Sequence, residues 1–228
     1  MGTQYTLRFI NNSQNTAVAC VYQTDPDIGV PNVMSLAWFA KGAAPTTHVA
    51  FTWQIDYCFV WSEVGTLAPG VMFDASQAWD ADLLASNQVS FTCQGGVYTF
   101  ANQQAGPSPG SLTILEDSTL PANQAAVGIG VSKKPAYVVQ AQPNWNLTFR
   151  PKPRYFITFG TFLEGEVLDV QSISHKVEVR FPPNVYSMTA ILNPDNTWNV
   201  KPTSEVNALY LAARSRGQAG QWGVLAAP

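Results

Sequence analysis

The chain has 228 residues, of which 46% are apolar, 12% aromatic and 12% charged, with a formal net charge of −3. Disordered chains are poor in aromatics and rich in charge, so this composition excludes disorder. At this length a fold buries roughly 70% of the extended surface, enough for a large core without disulfides or metal. The first residues lack a basic region ahead of an apolar stretch, and no apolar run reaches the roughly 18 residues of a bilayer span, so a soluble, cytoplasmic protein with no membrane partner is expected.

Period-two alternation dominates from the start of the chain. Tyr5, Leu7 and Phe9 alternate with Thr6 and Arg8, as a half-buried strand requires. A turn at 11–15 separates this strand from a second at 17–22, and so short a connection predicts antiparallel pairing. In 48–55 the odd positions from Val49 to Ile55 are large and apolar, which gives another strand. Asp82 could cap a short helix over 83–86. Gly95-Gly96 between 89–94 and 97–102 is a two-residue hairpin signal, because glycine takes the positive φ of a primed turn without steric cost. The stretch 103–110, rich in Gln, Gly, Pro and Ser, reads as a long surface loop, with division of the chain into two halves as the alternative.

Lys133, Lys134 and Pro135 separate strands at 127–132 and 136–140, and Asn193 to Asn196 separate strands at 188–192 and 197–201. Strands are also expected at 155–159 and 176–181. Helix signals are thin. Val206, Leu209, Tyr210 and Ala213 fit helical spacing with Gly217 as a stop, although the stretch also reads as a strand. No internal repeat is evident. The expectation is an all-β chain: an antiparallel β-sandwich with long loops and little helix, one domain over 1–228 with an internal division near 103–110 as the alternative.

Cys20, Cys58 and Cys93 lie in apolar, strand-like stretches far apart, without the spacing of a zinc site, and read as core filler. Asp74, Asp80 and Asp82 are the densest acidic group, but their spacing fits no calcium loop. Glu164, Glu166 and Asp169 read as turn residues rather than paired catalytic carboxylates. His48 and His175 belong to no nucleophile motif, and Gly128-Ile129-Gly130 lacks the rest of a dinucleotide fingerprint. No catalytic residue, metal or cofactor is therefore expected, and the chain reads as a non-enzyme.

The runs Cys20-Val21-Tyr22-Gln23 and Ile28 to Lys41, followed by Val49-Ala50-Phe51-Thr52-Trp53, resemble the rhizosphere-expressed proteins of root-nodulating bacteria, as do Thr158-Phe159-Gly160 and Gly165 to Asp169. The resemblance implies a bacterial cytoplasmic accessory protein made under quorum-sensing control near plant roots, with no established biochemical activity and no catalytic motif to carry over.

Two other roles compete with an accessory one. Trp145, between Asn144 and Asn146, and Trp222, beside Gly223, sit where a ring could be exposed to a sugar face, which suggests a carbohydrate-binding module with a glycan as partner; Trp38, Trp53 and Trp61 read as core. A self-assembling storage or inclusion protein is the other alternative. Residues 1–120 hold nine acids against two bases, and 121–228 hold ten bases against six acids. Lys133, Lys134, Arg150, Lys152 and Arg154 fall within an acid-free stretch and could form a basic patch that meets the acidic half of a second copy, giving a homo-oligomer. The net negative charge argues against nucleic acid as a partner.

Overall fold

A computed structural model describes residues 3–216; Trp222 and the expected helix stop at Gly217 lie outside the described residues. The described chain forms four sheets and one helix. Sheet I runs in the order β17 (Trp198–Pro202), β16 (Ser187–Leu192), β1 (Gln4–Asn11), β5 (His48–Gln54). Sheet II runs β15 (Lys176–Val179), β14 (Arg154–Gly160), β2 (Ala17–Thr24), β4 (Ala37–Ala43). Sheet III runs β3 (Met34–Ser35), β12 (Lys134–Gln140), β11 (Ala126–Val131), β6 (Tyr57–Ser62), β7 (Gln77–Ala81). Sheet IV runs β13 (Asn146–Phe149), β10 (Leu112–Glu116), β8 (Gln88–Gln94), β9 (Val97–Gln104).

The alternation read from the sequence faces these sheets in pairs. Sheets I and II meet through Phe9 against Phe159 and Trp53 against Tyr155; sheets III and IV meet through Phe59 against Phe100 and Trp61 against Phe91. Tilted ring pairs of this kind add about 0.5–1.5 kcal/mol each beyond the area they bury. The inner faces of both sandwiches join into one apolar cluster, with Trp38, Trp53 and Trp61 buried in it. The fold is therefore all-β and mostly antiparallel, as the sequence predicts. Cys20, Cys58 and Cys93 are free thiols, the first two buried.

Several local expectations need correction. β1 and β2 do not form a hairpin, because Leu7 and Phe9 on one and Ala19 and Val21 on the other all face the same core, so the chain turns a corner from sheet I to sheet II. Asn11 holds that corner: its side-chain amide donates to the carbonyls of Asn15 and Ala43, and its Oδ1 accepts from the amide and hydroxyl of Ser13. Asp82 caps a turn rather than a helix, accepting from the amides of Leu84 and Ala85. The Gly95-Gly96 hairpin forms between β8 and β9 with φ of 60° and 82°. The C-terminal stretch is helix α1 (Thr203–Ser215), which buries Val206 against Ile10 and Ile191 on the outer side of sheet I.

The topology also contains a repeat that the residue types conceal. In sheet I the central pair β1–β16 is parallel and is flanked by antiparallel β5 and β17; in sheet IV the central pair β10–β8 is parallel and is flanked by antiparallel β13 and β9. Taking β1, β2, β4–β9 as one series and β10–β17 as a second, every pairing in one sandwich except that of the two-residue β3 with β12 has a counterpart in the other. The two series interlock, since each sandwich takes four strands from the first and four from the second. Register supports the match: a bulge falls between Val21 and Tyr22 in β2 and between Ile129 and Gly130 in β11. The amide of Asn11 donates to the Thr47 carbonyl as that of Glu116 does to Trp145, and Asn12 donates to Leu192 as Asp117 does to Phe91. The loop at 105–111 joins the two series.

Glu116 thus occupies the place of Asn11, but with less support. It is 3% exposed, its Oε2 accepts only a long bond from the Gln142 amide, and its Oε1 has no partner. Burial pushes its carboxyl up to about 8. A raised folded-state value favours the protonated form, so this contribution to stability is full below the unfolded value near 4.3 and is lost as pH rises through about 8, at up to about 1.4 kcal/mol per pH unit between them. Glu116→Gln should remove that decline and raise stability at pH 8 relative to pH 5, as measured by urea denaturation across pH.

Interlocking also predicts how the chain tolerates a break. A protease site placed in 105–111 and cleaved should leave the two fragments associated, with unchanged far-UV circular dichroism and one peak on gel filtration. Expressed alone, residues 1–104 lack the partner strands of both sandwiches and should show no cooperative unfolding.

Candidate functional site

On the outer side of sheet II, β2 and β14 carry the cross-strand pair Tyr22 and Phe156, whose rings stack at 5.5 Å and 17°. Arg154, two residues before Phe156 on the same face, lays its guanidinium over the Phe156 ring at 5.4 Å. Glu178 on β15 fixes that guanidinium with two 2.9 Å bonds to Nε and Nη2 and also accepts from Arg180 at 2.7 Å. These two cations hold the Glu178 carboxyl down at about 2. The result is a rigid aromatic floor with an oriented cation at its edge.

Loops wall this floor into a cleft of about 640 Å³. One wall comes from 25–35, with Asp25, Val33 and Met34; the other comes from 168–171, with Leu168, Asp169 and Gln171. Lys176 sits at the base, donating to the Val170 carbonyl at 2.6 Å, and no carboxylate lies within 4.0 Å of its ammonium among the described residues. The carboxylates are occupied locally: Asp25 accepts from the amides of Asp27 and Lys152, and Asp169 from the amide and hydroxyl of Ser172. Tyr22 is fully buried and its hydroxyl has no hydrogen-bond partner among the described residues; burial raises its pKa well above the ordinary tyrosine value.

The interlocked repeat shows what this cleft adds to the fold. In sheet III the places of Tyr22 and Phe156 are taken by Gly130 and Cys58, paired in the same register beside the same bulge. A Cβ on Gly130 would lie 2.8 Å from Cys58 Sγ, so only glycine fits there. Over that face the 63–76 loop packs shut, sealing Phe73, Leu67 and Val71 against Cys58 and Val60. The turn between β11 and β12 is Ser132-Lys133, whereas its counterpart between β2 and β4 spans 25–36 and builds one wall of the cleft. Sheet III is closed with small residues and a short turn; over sheet II the 161–175 loop packs Leu168, Phe162, Val170 and Ile173 against the aromatic pair, and with the longer 25–36 turn it leaves a cleft.

The residues singled out in the sequence lie elsewhere. Trp145 is 45% exposed, but it sits before β13 on the other sandwich, away from the cleft. Of the basic residues, Lys133 pairs with Asp80 at 3.5 Å, Lys134 pairs with Glu164 and crosses the Phe39 ring, and Arg154 pairs with Glu178. Arg150 lies against Gly29, and the Lys152 amide binds Asp25, so Lys152 and Arg154 flank one end of the cleft, while Lys133 lies in the β11–β12 turn and Lys134 opens β12. Among the described residues no three His, Cys, Asp or Glu side chains are grouped to hold a metal ion, and no helix is long and apolar enough to cross a membrane. His48 is half-buried, with its pKa lowered by burial and by Arg8; His175 contacts the Asn196 carbonyl and Trp198.

Sequence reasoning missed the cleft because Tyr22 and Phe156 lie within strands and belong to no site motif. A signal was present. Phe156 shares its face with Arg154 and Thr158, so it is a large apolar residue on an otherwise polar side. Because the floor is half open, Phe156→Ala should cost about 1–2 kcal/mol in chemical denaturation, against the 3–5 kcal/mol usual for a fully buried phenylalanine such as Phe59.

Comparison with known proteins places this geometry in context. The RhiA family profile matches residues 2–203. Protein RhiA of Rhizobium leguminosarum bv. viciae is 39% identical over 204 residues, covering 88% of this chain and 87% of that protein. No solved structure matches the chain.

Proposed function

Since the chain belongs to the RhiA family, we propose that it is a non-enzymatic accessory protein of bacterial life near roots, and that it acts by holding a small molecule in the cleft over sheet II. The observation that carries this reading is the departure from internal symmetry. Two halves of one fold share their pairings, yet only one keeps an aromatic floor, an oriented guanidinium and a loop wall around open space. Concave sites of 300–1,000 Å³, mostly apolar with a few placed polar groups, are where proteins bind small molecules, and the 640 Å³ cleft has that make-up. Among the described residues, the two carboxylates that line the cleft, Asp25 and Asp169, are each held by neighbouring amides or a hydroxyl, so the groups present suit recognition better than bond breaking. Synthesis under quorum-sensing control in the cytoplasm is part of the same proposal; transcript levels that do not change with cell density would contradict it.

The binding reading is tested by incubating the full chain with small-molecule extracts of bacterial culture and root exudate, then recording native mass spectra. The wild type should retain a discrete added mass. Thr24→Trp, which fills the cleft from its floor, should lose it without loss of fold. If neither protein retains any added mass, or both retain the same one, the cleft is not a binding site.

A further inference from the structure

We infer that the cleft takes an uncharged, polyhydroxylated ligand, the end of an oligosaccharide, with the Tyr22 hydroxyl as one of its buried polar contacts and Phe156 beneath its C–H face. This rests on the binding reading above and goes beyond it by naming the ligand class.

Three observations converge on that class. The first is Tyr22, a residue of the cleft floor whose buried hydroxyl has no partner among the described residues. A buried polar group left unsatisfied costs about 1–3 kcal/mol, and phenylalanine would fill the same space against Phe156 without that cost. The fold therefore gives no reason for the hydroxyl, whereas a ligand oxygen does.

The second is charge balance. Two cations, Arg154 and Lys176, and two carboxylates, Asp25 and Asp169, line the cleft together. Arg154 is already neutralised by Glu178, Asp25 accepts from the amides of Asp27 and Lys152, Asp169 accepts from Ser172, and the Lys176 ammonium shares the cleft with both carboxylates. A charged ligand would meet its own sign as well as the opposite one and would lose hydration without a matched partner. Sugar hydroxyls each donate and accept, so they can bond to either kind of group as well as to the Gln171 amide.

The third is the apolar share of the walls. Val33, Met34, Leu168 and the edge of the aromatic floor present hydrocarbon between the polar groups, matching a molecule with alternating C–H and O–H surfaces.

The test uses an array of neutral and uronate-bearing oligosaccharides, followed by calorimetry of the full chain with the strongest neutral sugar. Saturable binding of a neutral sugar is expected. Tyr22→Phe should weaken it about tenfold, which corresponds to about 1.4 kcal/mol, while thermal stability stays level or rises. Phe156→Ala should abolish it, and Trp145→Ala should leave it unchanged. Binding confined to uronate-bearing sugars, or neutral binding lost with Trp145→Ala and retained in Tyr22→Phe and Phe156→Ala, would overturn the inference. A blank array beside cleft-dependent retention of some other molecule in native mass spectra would overturn the sugar assignment and leave the binding reading standing; a blank in both experiments would remove both.

Discussion

The parallel contacts β1–β16 and β8–β10 are the constraint on which the rest of the structure depends. Each joins a strand from one end of an eight-strand series to a strand of the other series, so neither sandwich is complete until both series are in place. Such contacts are costly in chain entropy, because loops of many residues close before any pair forms. Their return is a continuous apolar cluster that runs from Leu7 and Phe9 through Trp38 and Trp53 to Phe59, Phe91 and Phe100. Buried side chains of this size each contribute about 1.5–3 kcal/mol of transfer free energy, which is how a chain with only five ion pairs among the described residues can hold together. Those pairs are largely exposed, and pairs of that kind are worth little.

Interlocking also frees the outer faces of the sheets to diverge. The inner faces are bound by shared packing, but what lies above sheets II and III depends on the loops at 161–175 and 63–76. These loops contact one another, through amide-to-carbonyl bonds from Gly70 to Val167 and from Phe73 to Gly165. One of them packs onto small residues and seals its face; the other packs Phe162, Leu168, Val170 and Ile173 against Tyr22 and Phe156 and leaves a cleft beside them. The cleft is thus a local product of two side-chain differences, Tyr22 against Gly130 and Phe156 against Cys58, and one longer turn.

What the sequence disclosed and what it hid follow from the range of the interactions involved. Alternation is local, so the strand around Phe51 and Trp53 and the Gly95-Gly96 hairpin were legible. Capping by Asp82 was also legible, although the helix expected after it was not formed. Parallel pairing leaves no mark on local alternation, since a strand buries the same face whichever neighbour it takes. The repeat was hidden because matching places hold unlike residues, Asn11 against Glu116 and Tyr22 against Gly130, and because one turn has two residues where its counterpart spans 25–36. The resemblance to rhizosphere-expressed proteins was legible in the runs from Cys20 to Lys41, and the family match over 2–203 bears it out. The cleft was visible only as Phe156 on a polar face, a signal that becomes readable once β2 is known to lie beside β14.

Native-state hydrogen exchange on the full chain tests the interlocked account most directly. Amides in the paired cores of β1, β16, β8 and β10 should exchange only through one global opening, with the same free energy in both sandwiches and the same dependence on denaturant. Exchange of β1 and β16 at one free energy and of β8 and β10 at another, each lost in a separate unfolding step, would mean that the two sandwiches are independent and would contradict the account.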